Sequence, residues 1–232
     1  MPVRSQVLSI DEYYHIYNRG VDKRAIFLEE EDYRRFIKLL FLCNGSNPVE
    51  YRNLKSKLFS EIDTGEKLVA IGAYCLMPNH FHILIREIHE NGIVKFMSKL
   101  LTAYSSYFNK KYDRSGALFG SEFKSEHLDS DEYLKYIFSY IHLNPAKLKD
   151  PFWREANDNR KELFDFINTY PYSSHLFYFG QYTNQESLIL NKEAFPLYFS
   201  GPEYEREIWE WLNCNEIPLP RPGLGKTGDN SI

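Results

Sequence analysis

Two histidines separated by one residue, His80 and His82, are the side chains of this sequence most suited to binding a metal ion. Alternate residues of a β-strand point to the same face, so a strand here would place the two imidazoles side by side. Such a pair also arises by chance in a chain with seven histidines, and a metal site and an ordinary surface both stay open. The other histidines have no comparable partner in the sequence, and we interpret them as ordinary surface or core residues: His15, His89, His127, His142 and His175.

A second group with chemical potential lies further downstream, on a helix predicted over 131–143. Tyr140 and Asn144 lie one turn apart on it, and Tyr136 continues the same line one turn earlier. A tyrosine hydroxyl can act as a nucleophile, and a carboxamide oxygen can bind a metal ion. Because the chain contains 18 tyrosines, simple packing of these rings and of Tyr133 stays open as well. The buried stripe of this helix is predicted to contain Leu134, Ile137, Phe138 and Ile141.

These groups need a scaffold that brings a strand and a helix together, and the spacing of apolar residues predicts one. The predicted strands cover 13–18, 68–77, 80–86 and 119–127, and the predicted helices cover 29–43, 93–108 and 131–143. Strand, helix, strand, strand, helix, strand, helix is the order of an α+β sandwich. In that fold class an antiparallel sheet carries helices on one face.

The remaining segments frame this core. We predict a loop or a short extra helix over 44–66, and a C-terminal extension begins near residue 151, where aromatic residues and prolines become frequent. The extension is predicted to be helical over 160–168 and 203–212 and loosely ordered from 218. The predicted organisation is therefore a domain over 8–150 and a helical or irregular extension over 151–232.

Composition leaves the function class open. A net charge of −4 does not indicate nucleic-acid binding, but it does not exclude it, because a local basic face matters more than the total charge. The three cysteines form no CxxC pair, which suits a reducing compartment, so we expect a cytoplasmic protein. No apolar run reaches the ~20 residues of a membrane helix, so we expect no membrane partner. The cations predicted to contact nucleic acid, with the aromatic rings as stacking platforms, are Arg19, Lys23, Arg24, Lys95, Lys99 and Lys124.

Three segments in the right order carry a family resemblance. They are Tyr-His-Ile-Tyr-Asn-Arg-Gly at 14–20, Tyr-Cys-Leu-Met-Pro-Asn-His-Phe-His-Ile-Leu at 74–84, and Tyr-Ile-His-Leu-Asn-Pro at 140–145. Together they resemble the HUH-type single-tyrosine transposases of the IS200/IS605 group, and most of all the branch of REP-associated tyrosine transposases. The resemblance spans roughly 8–150, and that branch typically carries a C-terminal extension.

This resemblance implies a ferredoxin-like (RRM-like) core, a divalent cation such as Mg²⁺ or Mn²⁺, and a covalent 5′-phosphotyrosine intermediate. By position, His80, His82 and Asn144 correspond to the metal ligands, and Tyr140 corresponds to the nucleophile. Since imidazole suits Mn²⁺ better than Mg²⁺, we expect Mn²⁺ to work at least as well. The implied partner is single-stranded hairpin DNA, and the sequence leaves a monomer and a homodimer open.

Two features depart from the family pattern. Glu122 stands near the place where many relatives have an arginine, so a phosphate contact is absent or has moved to Lys124, and the segment over 44–66 is longer than in minimal enzymes. Three alternatives also remain. They are a relaxase or rolling-circle initiator, which usually carries further domains or a third histidine; a domesticated, non-cleaving nucleic-acid-binding protein on the same scaffold; and a plain metal-binding or structural domain.

Overall fold

A four-stranded antiparallel sheet forms the centre of the computed structural model, which describes residues 8–155, 159–179, 183–199 and 202–214. The predicted loose end from 218 lies outside these residues. The strands are β1 (Tyr13–Arg19), β2 (Val69–Met77), β3 (His80–Glu87) and β4 (Lys124–His127), in the spatial order β2-β3-β1-β4. Met77 pairs with His80, so Pro78 and Asn79 form the tight turn between β2 and β3. The histidine pair therefore begins a central strand.

Three helices lie between these strands in sequence: α1 (Glu30–Cys43), the short α2 (Tyr51–Leu54) and α3 (Gly92–Lys111). Helices α1 and α3 cover one face of the sheet, where the Phe36 ring packs on Phe81 with ring centroids 5.1 Å apart. The side chain of Asp32 caps the start of α1 by accepting hydrogen bonds from the backbone N–H groups of Leu28 and Glu29. This strand and helix order with an antiparallel sheet is the ferredoxin-like α+β fold that the sequence predicts.

The helix α4 (Asp131–Leu143) begins and ends at the predicted residues but covers the opposite face of the sheet. Its Tyr140 ring contacts the ring of His82, whereas Phe81 points to α1. The prediction that helices cover one face only is therefore wrong. The physical reason is the sequence of β2: all nine of its residues are buried, and a strand apolar on both faces needs a covering layer on each.

One segment differs from its predicted secondary structure, and another had been predicted only as a loop or a short helix. The strand predicted over 119–127 is shorter, since Phe119 makes only an isolated bridge to Gly20 and regular pairing starts at Lys124. In the intervening bend, the Asn18 amide donates a hydrogen bond to the Ser121 carbonyl. The segment over 44–66 contains α2 and a 3₁₀ turn at Phe59–Glu61, as the predicted alternative of a loop or short helix allows.

The C-terminal part packs on the free edge of β2 and on α4. It contains α5 (Ala146–Lys149), α6 (Arg160–Ile167), α7 (Pro202–Asn213) and several 3₁₀ turns, so the two predicted helices are present. The backbone N–H of Leu76 donates to the carbonyl of Tyr172, which protects the edge of the sheet. The apolar residues of the C-terminal part belong to the same hydrophobic core as those of the sheet. Among the described residues, no helix is both long and apolar enough to cross a bilayer.

Candidate active site

The histidine pair lies under α4 with one nitrogen of each ring unused. His80 and His82 are on the same face of β3, and His82 is only 2% exposed. The Nε2 atom of each ring is buried and has no hydrogen-bond partner among the described residues. A buried nitrogen without a partner costs stability. Both atoms are therefore candidates for binding a group from outside the chain.

The other ring nitrogen of each histidine is engaged and determines its proton. His80 Nδ1 lies 2.6 Å from Asn79 Oδ1, and the Asn79 amide nitrogen donates to the Lys23 carbonyl, which orients the amide. An amide oxygen only accepts, so Nδ1 of His80 carries the proton and Nε2 keeps its lone pair. His82 Nδ1 lies 2.8 Å from Nε2 of His15. His15, which we interpreted as an ordinary surface or core residue, is therefore a buried residue in contact with the pair.

Helix α4 presents Tyr140 and Asn144 to this pair. The Tyr140 ring meets the ring of His82 edge to face at 5.4 Å and that of His15 at 6.0 Å. The Asn144 amide nitrogen donates to the Tyr140 carbonyl at 3.1 Å, while its Oδ1 is buried without a partner among the described residues. The structure thus brings His80, His82, Tyr140 and Asn144 together. Asn144 directly precedes a proline, which ends the regular helix at this point.

The unused atoms form a donor set that fits a divalent metal ion. It consists of two imidazole nitrogens, from His80 and His82, and the amide oxygen of Asn144. Across the described residues, no group of three His, Cys, Asp or Glu side chains is arranged to hold a metal ion. The third member of the set described above is the amide of Asn144, which does not belong to those residue types. Imidazole favours transition metals such as Mn²⁺ over Mg²⁺.

Burial controls the protonation of the site. It lowers the pKa of His80 to about 3, helped by the charges of Arg19 and Lys147, so the ring is neutral as a metal ligand must be. The pKa of His82 is also well below its ordinary value, mainly because of burial. Burial raises the pKa of Tyr140 to about 12, against a lowering contribution from a hydrogen bond with Asn144. Tyr140 therefore keeps its proton at neutral pH and must lose it to attack.

Three cations surround this group, of which the sequence identified one. Arg19 pairs with His80 across β1 and β3, and its Nε atom is buried without a partner among the described residues. Lys147 lies with its Nζ 5.6 Å from the Tyr140 ring, and Arg154 is close enough to influence the pKa of Tyr140. Lys147 and Arg154 were not predicted from the sequence. The signal was the presence of Lys147, Lys149 and Arg154 within ten residues after Asn144.

The other predicted cations differ in position. Lys124 lies on the histidine face of the sheet, 5.9 Å from the Tyr17 ring, and Lys23 and Arg24 follow the end of β1. Arg24 forms an ion pair with Asp22 at 3.4 Å. Lys95 and Lys99 lie on α3, which covers the other face, and the ammonium of Lys99 donates to the carbonyls of Gly45 and Asn47. The exposed Glu122 lies near Lys124 and does not join the site residues.

The described chain thus combines a ferredoxin-like sheet with a histidine pair that faces a tyrosine helix, and this combination can be compared with known families. The family model described as "Transposase IS200 like" matches residues 13–144. That is more than half of the chain, and the chain therefore belongs to the IS200-like transposase family of DNA nicking-and-joining enzymes. Members of this family generally use a divalent metal ion.

The chain is also similar to a solved structure. It is described as the structure of a REP-associated tyrosine transposase bound to a REP hairpin. Its sequence identity is 12% and its TM-score is 0.45, over 88% of this chain and 93% of that chain. No curated protein matches the chain.

Proposed function

We propose that this transposase cuts and rejoins single-stranded DNA through a 5′-phosphotyrosine bond on Tyr140, with a divalent metal ion held by His80, His82 and Asn144. One observation carries the proposal. Three buried acceptor atoms, two imidazole nitrogens and one amide oxygen, lack partners among the described residues, and they belong to side chains packed around one tyrosine. Other buried polar atoms also lack partners among the described residues, such as the Tyr74 hydroxyl and the Trp153 indole nitrogen, so the proposal rests on the grouping of these three beside Tyr140 and not on the lack of partners alone.

The chemistry is a transfer of a phosphoryl group to the tyrosine. The Tyr140 oxygen attacks the phosphorus, the bond from phosphorus to the 3′ oxygen breaks, the phenol loses its proton and the 3′ oxygen gains one. A later 3′-hydroxyl reverses the step on another strand, so no nucleotide is consumed. A metal ion at the three ligands supplies charge neutralisation at the scissile phosphate. Mn²⁺ is the ion we expect to serve best, with Mg²⁺ as the alternative.

Cations of this chain supply the remaining contacts to the strand. Arg19 and Lys147 adjoin the histidine pair and Tyr140, and we assign them to the phosphate that reacts. Lys124, on the same face of the sheet, suits a neighbouring phosphate. Lys23 and Arg24 extend this surface at the end of β1. We leave out Lys95 and Lys99, since they lie on the helix that covers the other face.

Single-stranded hairpin DNA of the REP type is the substrate we propose, on the strength of the three sequence segments that resemble REP-associated transposases. We place the family domain over 8–150 and treat 151–232 as the extension of that branch. The cytoplasm is the location we propose, and the three free cysteines support it. The second candidate function, non-cleaving nucleic-acid binding on the same scaffold, is kept as an outcome of the experiment.

The experiment incubates the protein with Mn²⁺ and an end-labelled single-stranded hairpin from its own genomic neighbourhood, and then measures adducts that survive SDS. We expect the wild type to form the adduct and Tyr140→Phe to form none. Tyr51→Phe is the matched control because Tyr51 also packs under a cation, Arg35, but lies on α2, away from the histidine pair. It should form the adduct as the wild type does.

The other outcomes discriminate between the alternatives. An adduct in Tyr140→Phe contradicts the nucleophile and directs the search to Tyr136 and Tyr133. The absence of any adduct with every neighbouring hairpin, together with tight binding of the same hairpins, supports the non-cleaving function instead.

A further inference from the structure

A chain of contacts crosses three adjacent strands and ends on the histidine pair. Glu126 on β4 lies 3.5 Å from Nδ1 of His15 on β1, and Nε2 of His15 lies 2.8 Å from Nδ1 of His82 on β3. His15 is only 4% exposed. The rings of His15 and His82 stack with centroids 5.0 Å apart and an interplanar angle of 22°. Both nitrogens of His15 are therefore engaged, and His15 is not a metal ligand itself.

The carboxylate at the outer end decides where the protons lie. An ionised carboxylate only accepts hydrogen bonds, so Nδ1 of His15 carries a proton that faces Glu126. Neutral imidazole has one proton, which leaves Nε2 of His15 as an acceptor. Nδ1 of His82 then donates to it, and Nε2 of His82 keeps its lone pair. This is the same Nε2 atom that is buried without a partner.

Other contacts hold the outer members of this chain in position. Tyr133, from the first turn of α4, lies close enough to Glu126 for each side chain to influence the pKa of the other. The Tyr17 ring stacks on His15 with centroids 4.9 Å apart. The helix that carries Tyr140 and the strand that carries His82 are thereby both connected to Glu126.

We propose that His15 and Glu126 are positioning residues of the metal site: they hold His82 in the tautomer and ring orientation that leave Nε2 free to bind the ion. The inference rests on the proposed function, because His82 is a ligand only there. A hydrogen bond from the far nitrogen of a ligating histidine to an acceptor fixes the ring and makes the ligating nitrogen more basic. His80 has its own shorter version of this support in Asn79.

The first experiment observes the tautomer directly, without metal or DNA. Proton–nitrogen correlation spectra of the ¹⁵N-labelled wild type should show His82 with the proton on Nδ1 and none on Nε2. In His15→Leu, which removes the acceptor but keeps an apolar side chain, this preference should be lost. A wild-type spectrum with the proton on Nε2 of His82 overturns the inference, and it does so even if no variant folds.

The second experiment measures Mn²⁺ binding by the loss of the free-ion electron paramagnetic resonance signal. We expect His15→Leu to weaken Mn²⁺ binding by about 10–100-fold, the usual effect of removing such a support. Glu126→Gln keeps an accepting oxygen and should fall between His15→Leu and the wild type. The control is His127→Gln, since His127 is on the same strand as Glu126 but points to the opposite face and pairs with Glu12 at 2.7 Å. It should bind Mn²⁺ as the wild type does.

The failures of the two proposals give different results. Wild-type Mn²⁺ affinity in His15→Leu and Glu126→Gln overturns the positioning role and leaves the metal site intact. Equal affinity in the wild type, His15→Leu and His80→Ala means that the proposed metal site is wrong, and the positioning role is overturned with it.

Discussion

Helix α4 lies against two clusters of buried histidines, which differ in whether every ring nitrogen has a hydrogen-bond partner. On its sheet side lie His80 and His82, the open pair, each with an Nε2 atom that has no partner among the described residues. The closed network of His142, His175, Ser174 and Tyr204 lies next to β2 and the C-terminal part. In the closed network all four ring nitrogens have partners. His142 contacts Ser174 and Tyr204, and His175 contacts Tyr204 and Asn168.

The protons of the closed network can be assigned so that every ring nitrogen is paired, with the single Ser174 hydroxyl proton directed to His142 and not to the Tyr74 carbonyl, 3.2 Å away. The Asn168 oxygen accepts from Nε2 of His175, so Nδ1 of His175 accepts from the Tyr204 hydroxyl, 2.6 Å away. Tyr204 then accepts from Nδ1 of His142, and Nε2 of His142 accepts from the Ser174 hydroxyl at 2.8 Å. Ser174 also accepts from the Tyr74 backbone N–H. The network therefore fastens α4 to β2 and to the C-terminal part.

Burial and a lowered pKa do not distinguish the two clusters. Burial lowers the pKa of His175 to about 3, as it does for His80, and the pKa values of His142 and His82 both lie well below the ordinary value. The difference lies in the unpaired nitrogens. A fully paired buried histidine stabilises the fold, whereas a buried histidine with a free lone pair costs stability and is retained for a ligand.

The largest effect should come from removing the open pair. In His80→Ala/His82→Ala we expect adduct formation to fall by about 10³-fold or more, since a metal ion supplies several kcal/mol of charge stabilisation and about 1.4 kcal/mol is tenfold in rate. The melting temperature without metal should fall as well, because truncating the buried His82 ring leaves Nε2 of His15 without its partner, so adduct formation is compared at a temperature where both proteins are folded. Mn²⁺ at 100 times its Kd should stabilise the wild type by about 2.7 kcal/mol and leave the double variant unaffected. Normal cleavage by the double variant would contradict the assignment of His80 and His82 as metal ligands.

Breaking the closed network should lower the stability of the fold without changing the effect of Mn²⁺ on it. Tyr204→Phe leaves buried imidazole nitrogens unpaired and should lower the free energy of unfolding by about 1–3 kcal/mol, equally with and without Mn²⁺. Chemical denaturation measures this change. Tyr198→Phe is the control, because the Tyr198 hydroxyl makes a 3.3 Å exposed contact with Asp131 that water can replace. If Tyr204→Phe is as stable as Tyr198→Phe, the network does not hold α4.

Acid should weaken the fold through the closed network. The unfolded chain binds a proton on His175 below about 6.5, but the folded protein does so only near pH 3, so the stability contributed by neutral His175 is lost as the pH falls below 6.5. Between pH 7.5 and 5.5 we expect the free energy of unfolding to fall by about 1.4 kcal/mol from this residue. Urea denaturation of His175→Gln should show a correspondingly shallower pH dependence. An unchanged slope would contradict the assignment.

The smallest effect concerns the two faces of the sheet. Lys124 lies on the face of the open pair, and its replacement in Lys124→Ala should reduce the log–log salt slope of single-stranded DNA binding by about 0.7, the value for one phosphate contact. Lys95→Ala, on α3, should leave both affinity and slope unchanged. Fluorescence anisotropy over a range of salt concentrations measures both. Equal losses in the two variants would mean that DNA also contacts the α3 face.

Much of the site could be predicted because its signals are local. The His80–His82 spacing depends only on the two-residue period of a strand, and the spacing of Tyr140 and Asn144 depends only on the helical turn. Other members could not be predicted in this way. Lys147 acts from beyond the end of α4, and the contact of His15 with His82 joins residues that the sequence separates widely.

The sequence by itself determined the strands, the helices, the histidine pair, the tyrosine helix and the family to which these segments belong. Only the tertiary structure decided that α4 covers the face opposite α1, because side chains of β2 are buried on both faces and both need cover. It also decided which buried histidines are open and which are closed. That distinction depends on whether a hydrogen-bond partner from a distant element reaches each ring nitrogen, and no local pattern of residues encodes it.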